Sequence, residues 1–416
     1  MEKNYFSAIE FGSLFNNVLV MSYNNDKLDV VAALKVPSKG FLNGEIINDD
    51  EFDNSIKFLI QQVCSLYKIK IDEAILVVPN NSHNIKATAL GFNILTEKHI
   101  IGKVQIDSIK NQVMKVPILD EEMIIKQVPT MFELDNGRMY RTEPLGISSS
   151  TLKINSILHT LPKRIVLPLN ESLKNNNVRV LSNELCCHCG AYGVSNDFEL
   201  EGQCIHINIG QDATTLSAFS KNIIVGKTIQ LNFGFASLVT FLARTLNVSF
   251  DFAQDLIESY FICNNDYASD VIFDENFKLS EKRISGIVLN RLYNAFSEIV
   301  EAYNTLLDEL KFESNCKVLL TGCLNDYEFF VEEFSKNTQL NVIEGNIDVV
   351  GIIDQTFVNC YGAIVNFIRE NKDLIVSRFE EMINVSDIKS QDSYENNETK
   401  KENPVNAGKF RDIFDD

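Results

Sequence analysis

Cys204-Ile205-His206-Ile207-Asn208-Ile209-Gly210-Gln211-Asp212-Ala213-Thr214-Thr215-Leu216-Ser217-Ala218-Phe219 reads as an apolar strand, a tight turn over Gly210 to Ala213 and a second alternating strand, the pattern of a β-hairpin. A shorter sibling lies near the N-terminus, where Ser7-Ala8-Ile9-Glu10-Phe11-Gly12-Ser13 runs into a turn and Val18 to Tyr23 leaves it. Two such hairpins, separated by most of a domain, predict two similar lobes facing each other across a cleft, with their turns meeting around a phosphate.

Working outward from the first hairpin, Leu28–Val36 reads as a third strand, and Phe52, Ile56, Leu59, Ile60, Val63 and Leu66 recur at helical spacing. A helix from about Asp50 to Lys68 is expected to pack on that sheet, and Glu73–Val78 to return as a buried strand. Val178–Leu181 reads as a strand and Asn183–Val194 as a helix. Around the second hairpin, Phe235–Leu246, Phe250–Tyr260 and the periodic run from Ile284 to Leu307 predict a helical insertion. Lys317–Leu320 is a strand closed by Thr321-Gly322-Cys323, and Thr356–Asn371 a helix.

At 416 residues the chain has room for two cores, because single cores stop growing at about 250–300 residues. The net charge of −19 argues against nucleic acid, which needs a basic surface to neutralise phosphates. No apolar run approaches the length that spans a bilayer, and the first residues lead into no signal-peptide core, so a cytoplasmic location is expected. Nine scattered cysteines fit a reducing compartment better than a disulfide framework.

The order of parts resembles FtsA, the actin-like bacterial cell-division protein. The matching stretches are Ala8-Ile9-Glu10-Phe11-Gly12-Ser13, Asn208-Ile209-Gly210-Gln211-Asp212-Ala213-Thr214-Thr215 and Val318-Leu319-Leu320-Thr321-Gly322. Pro129-Thr-Met-Phe132-Glu-Leu-Asp135 and Glu143-Pro144-Leu145-Gly146-Ile147 look like the subdomain that sets FtsA apart from actin and MreB. The resemblance implies an α/β, actin-like two-lobed fold of the RNase H-like class. Its parts would be a first lobe (1–81, 163–194, 355–385) with an inserted subdomain (82–162), and a second lobe (195–230, 316–354) with a helical insertion (231–315). A disordered polar linker (386–407) and an amphipathic segment (408–416) would follow.

The resemblance also implies ATP and Mg²⁺ in the cleft, held by Glu10, Gly12, Ser13, Asn208, Gly210, Thr214, Thr215 and Gly322. The departures from the family pattern count against this. FtsA proteins usually read Asp-Ile-Gly-Gly-Gly-Ser/Thr in the second loop, where glycines let backbone N–H groups reach the phosphates. Here the Asp position is the neutral Asn208, and Gln211 and Asp212 stand at glycine positions. Glu10 replaces an Asp, Cys323 follows Gly322, and Gln254 and Ile257 stand where an Ala-Glu-x-x-Lys contact is usual. A carboxylate at Asp212 about 4 Å from a phosphate oxygen would cost on the order of 4 kcal/mol at an effective dielectric of 20. ATP and Mg²⁺ are therefore expected to bind poorly or not at all, with negligible hydrolysis and no catalytic residue.

Arg283, Arg291 and Asn294 match FtsA positions that hold the acidic C-terminal peptide of FtsZ, and Arg suits a carboxylate-rich partner. Phe410, Ile413 and Phe414 fall at i, i+3 and i+4, one face of a short helix for membrane lipid. The resemblance thus implies a non-enzymatic scaffold that polymerises with itself, binds FtsZ and holds it at the inner face of the membrane at the division site. Two other readings stay open: an active ATPase or kinase of the same fold, and a nucleotide-independent adaptor similar to the PilM family of pilus proteins. Cys186-Cys187-His188-Cys189 lacks a second ligand pair, so no metal site is expected; the resemblance implies a helix of small residues between the lobes here, in which cysteine packs as one more.

Overall fold

The computed structural model describes residues 4–24, 27–80, 84–88, 99–194, 200–352 and 354–372. The two segments expected beyond the core, 386–407 and 408–416 with Phe410, Ile413 and Phe414, lie outside the described residues.

Two five-stranded sheets share one topology. In the first, Lys27–Pro37, Phe15–Asn24 and Asn4–Phe11 run antiparallel, and Glu73–Val78 and Arg179–Leu185 continue the sheet in parallel. The second repeats this order with Ile223–Leu231, Thr214–Ser220 and Gln203–Ile209, then Lys317–Gly322 and Val342–Glu344. Strands buried on both faces need nearly continuous apolar sequence, which is what Ile205, Ile207 and Ile209 on one face and Cys204 and His206 among their neighbours provide. The two lobes expected from the paired hairpins are these two sheets.

Helices cover the sheets. Asp49–Tyr67 begins where the Asn48 side chain accepts from the Glu51 N–H, carries three acidic residues in its first turn, and ends at Lys68 in the left-handed conformation. It buries Phe52, Ile56, Leu59 and Val63 against the first sheet. The opposite face of that sheet is covered by a helix over 358–372, whose Val358, Ala363, Ile364 and Phe367 pack on Phe6, Leu19, Met21 and Ile75.

In the second lobe, Phe235–Leu246, Phe250–Tyr260 and the thirty-residue helix Glu281–Leu310 form a continuous core with the sheet. Three further elements, the strands Ile223–Leu231 and Val342–Glu344 and the helix Phe330–Thr338, complete the lobe without having been read from sequence.

One boundary differs from expectation. The strand after Val178 runs through Leu185, and the helix starts at Cys186 rather than near Asn183. A register shift between Val180 and Ser182 lets Ser182 to Leu185 go on pairing with Ile75 to Val78. The ladder hydrogen bonds thereby outcompete the local helix pattern. Within the helix Cys186–Val194, Cys187 and Cys189 are buried in the cores on either side, and burial pushes the Cys187 thiol up to about 12.

Between these elements Glu122–Leu134 and Leu152–Pro162 pair antiparallel and carry Asn84–Thr88 and Met139–Tyr140 at the sheet's edges. With the helix Lys103–Val113 they enclose a separate core of Ile106, Ile109, Phe132, Leu134, Leu152 and Ile154.

Candidate functional site

The two hairpin turns meet at the floor of a cleft of about 950 Å³, lined from the first lobe by Glu10, Gly12, Asn43 and Asn80 and from the second by Asn208, Gly210 to Ala213, Thr215, Arg244 and Arg291. Gly210 N–H donates to the Ala213 carbonyl at 2.9 Å and closes the second turn. That turn rests on the start of the helix Phe235–Leu246, whose Phe235 and Ala236 N–H groups donate to the Gly210 and Gln211 carbonyls. A Cβ on Gly234 would stand 2.6 Å from the backbone of Gln211 and Asp212, so only glycine allows this docking.

The turns touch each other directly. The Gln211 amide crosses the cleft: Oε1 accepts from the N–H groups of both Leu14 and Phe15 at 2.9 Å, and Nε2 donates to the Phe15 carbonyl at 3.2 Å. Beside it the Asp212 carboxylate faces Ser13 of the opposite loop, which favours its charged form, while burial dominates and raises its affinity for a proton. The Ser13 hydroxyl receives the Asn43 N–H at 3.0 Å.

Deeper in the cleft, Asn359 bridges the lobes. Its Nδ2 donates to Glu10 at 2.7 Å, and its Oδ1 receives Asn208 Nδ2 at 3.3 Å. Burial pushes the Glu10 carboxyl up to about 7, against the hydrogen bonds from Asn359 and Asn17 that favour its charged form. Asn208 is 3% exposed, and its Oδ1 finds no partner among the described residues. Thr215 is likewise buried with an unpartnered hydroxyl, whereas the Thr214 hydroxyl turns away to the Phe233 carbonyl at 2.8 Å. Gly322 sits behind the second hairpin, where a Cβ would meet the Ile209 carbonyl oxygen at 2.1 Å and φ is +118°. Of the eight residues read from sequence, Glu10, Gly12, Asn208, Gly210 and Thr215 line the cavity.

A second bridge joins the lobes at the edge of the cleft. Lys35 pairs with Asp354, and the Gln355 N–H donates to both oxygens of Asp326 at 3.0 and 3.1 Å. Burial and the neighbouring Asp354 push Asp326 up to about 7. Burial opposes ionisation of Asp354 too, but hydrogen bonds from Lys35 and Thr356 outweigh it and hold its carboxyl below the usual range.

The three residues expected to bind the FtsZ peptide lie on the long helix within an arc of about 80°, but their surroundings differ. At 100° per residue, Arg283 and Asn294 fall within about 20° of each other and Arg291 about 80° from Arg283. Arg291 lines the cleft with its guanidinium 4.9 Å from the Phe233 ring centroid. Arg283 donates to the carbonyls of Phe277 at 2.6 Å and Lys278 at 3.2 Å, bracing the preceding loop, and Asn294 is exposed. Ile257, at the position of the family's lysine, is wholly buried in the second-lobe core, and Gln254 bonds Glu258 on its own helix.

Sequence reading missed Asn359, Asn17, Lys35 and Asp354, because nothing in their local sequence marks residues that bond across hundreds of positions. Among the described residues no helix is long and apolar enough to cross a membrane, and no three metal-ligating side chains are grouped.

No family model matches the chain. It is 25% identical over 220 residues to the cell division protein FtsA of Bacillus subtilis, covering 51% of this chain and 48% of that protein. It is 21% identical over 304 residues to FtsA of Streptococcus pneumoniae, covering 71% and 66%. The chain therefore aligns with about half to two thirds of the length of these curated relatives. Its fold superposes on a type IV pilus biogenesis complex of PilM and PilN with a TM-score of 0.60 at 11% identity, over 86% of this chain and 97% of that one. The fold is actin-like, and the chain is FtsA-like.

Proposed function

We propose that this FtsA-like chain is a cell-division scaffold that assembles head to tail like actin, gathers FtsZ through its C-terminal peptide, and sits on the cytoplasmic face of the membrane at the division site. The likeness to FtsA along 71% of the chain carries the reading. The cleft favours a scaffold over a catalyst: the neutral Asn208 stands where a carboxylate would organise Mg²⁺ and water. Binding of ATP and Mg²⁺ is proposed to be weak or lost.

The proposed peptide site is the exposed face of Glu281–Leu310 that carries Arg283 and Asn294. Arg291, turned toward the cleft, is proposed to shape that wall instead. Phe410, Ile413 and Phe414 are proposed to meet lipid. Burying each would yield about 1.5–3 kcal/mol at most, opposed by three nearby aspartates, so many copies on one filament would be needed for firm attachment.

The test is a calorimetric titration of the C-terminal peptide of FtsZ from the same cell into the protein, with Asn294→Glu and Arg291→Glu as variants. Saturable binding that Asn294→Glu abolishes and Arg291→Glu spares supports the site as drawn. Loss with Arg291→Glu alone would move the site to the cleft. No binding at millimolar peptide would end the FtsZ role and favour an adaptor serving another partner.

A further inference from the structure

We propose that Gln211 is a built-in occupant of the first hairpin's anion cradle, and that with Asp212 it fastens the two lobes shut without any nucleotide. Two successive backbone N–H groups aimed at one point form a site for a phosphate oxygen. In this chain the N–H groups of Leu14 and Phe15 converge on Gln211 Oε1, both at 2.9 Å, and the amide's other end is fixed to the Phe15 carbonyl. A carboxamide can satisfy this mixed set because it offers an acceptor and a donor on one planar group, whereas a phosphate offers acceptors alone.

The surroundings are shaped to the amide. A Cβ on Gly12 would lie 2.5 Å from Gln211 Oε1 and Nε2, so this glycine makes room for a side chain of the same protein. Ser13 of the same loop faces the Asp212 carboxylate. Every one of these contacts joins residues from opposite lobes. A nucleotide entering the cleft would have to displace a tethered group, whose effective concentration is of millimolar order, and would meet the Asp212 carboxylate as well.

Closure of the cleft, which in a nucleotide-dependent protein would follow the ligand, is here written into the turn sequence. This latch rests on the weak-nucleotide reading and would hold whatever partner the chain serves.

Amide hydrogen exchange on the full chain tests it, with Mg·ATP as the probe. In the wild type the amides of Leu14 and Phe15 are expected to be protected, and 1 mM Mg·ATP to leave them unchanged. Gln211→Ala should raise their exchange about tenfold, the loss of two hydrogen bonds to one acceptor, while the strand Glu73–Val78 stays protected. Gln211→Gly with Asp212→Gly should reopen the cradle, so that Mg·ATP binds and restores protection. If Gln211→Ala also loosens the Glu73–Val78 strand, the isosteric Gln211→Glu replaces it; this variant sets an acceptor oxygen where the donor to the Phe15 carbonyl stood, and should likewise raise exchange at both amides. Unchanged exchange in Gln211→Ala, unchanged exchange in Gln211→Glu, or micromolar Mg·ATP binding to the wild type that adds protection at Leu14 and Phe15 would each overturn the latch.

Discussion

Lys126 of the inserted subdomain and Glu184 of the first lobe's last strand lie 3.0 Å apart with side chains only 10% and 5% exposed. Glu370, on the helix over 358–372, completes the site at 2.9 Å, and Asn366 and Ser182 also bond Glu184. Burial disfavours the ammonium, but the two carboxylates more than restore it, so Lys126 stays charged at every ordinary pH. Replacing one partner of such a set leaves a buried charge without compensation. Lys126→Met is expected to lower stability by about 3–5 kcal/mol in urea denaturation, and Lys126→Met with Glu184→Gln to recover a good part of it.

The raised carboxyls set a pH trend. Glu10 and Asp326 both rise to about 7 in the fold, so between roughly pH 4.5 and 7 the unfolded chain binds fewer protons than the native one. The stability these groups contribute is complete below their unfolded values and is lost as pH climbs through 7. Glu10→Gln, which keeps the acceptor for Asn359, should therefore be more stable than the wild type at pH 8 by about 2 kcal/mol and nearly equal to it at pH 5. Urea midpoints at the two pH values measure the difference; equal offsets at both would count against a protonated Glu10.

Gly362 packs the helix over 358–372 against Cys186–Val194 at the junction of the lobes. A Cβ there would stand 1.7 Å from the Cys189 carbonyl oxygen and 2.9 Å from the Gly193 nitrogen. Backbone cannot swing aside as a side chain can. Gly362→Ala should cost about 3 kcal/mol or more and lower the thermal midpoint, whereas Gly202→Ala, with nothing within 4 Å, should change little.

Ile257 offers a check on the family comparison. Restoring the family's lysine there would place an ammonium in a position with no exposure, among Leu256, Phe261 and Leu292. Ile257→Lys is expected to destabilise by several kcal/mol and to bring no gain in Mg·ATP affinity. A stable variant with micromolar affinity would show that the helix can rotate toward the cleft.

The lobes were legible because hairpins announce themselves locally: an apolar strand, a turn and an alternating return all lie within sixteen residues at Cys204 to Phe219. The helices Phe235–Leu246 and Phe250–Tyr260 were legible to the residue from their sequence; in the structure the Ser249 side chain caps the second of them. Phe330–Thr338 escaped notice because it is nine residues long and starts from Phe329 in a left-handed conformation without a side-chain cap.

At the site, sequence marked Gln211 as a lost glycine and Asp212 as a charge that repels phosphate, but neither as a group that reaches the opposite lobe. The Gln211 bonds reach 196 and 197 positions back to Phe15 and Leu14, and no local pattern encodes a contact of that range. Asn359 reaches Glu10 across 349 positions and was invisible for the same reason.

The shared strand order of the two sheets has a mechanical consequence. Jaws built alike and joined at one place would ordinarily swing about that junction, storing and releasing bending energy with each opening. With Gln211 and Lys35 also tying one lobe to the other, the subunit becomes a closed loop of rigid bars. In the proposed filament, strain then passes to the joints between subunits, so filament stiffness should report on those joints alone and be the same with and without Mg·ATP.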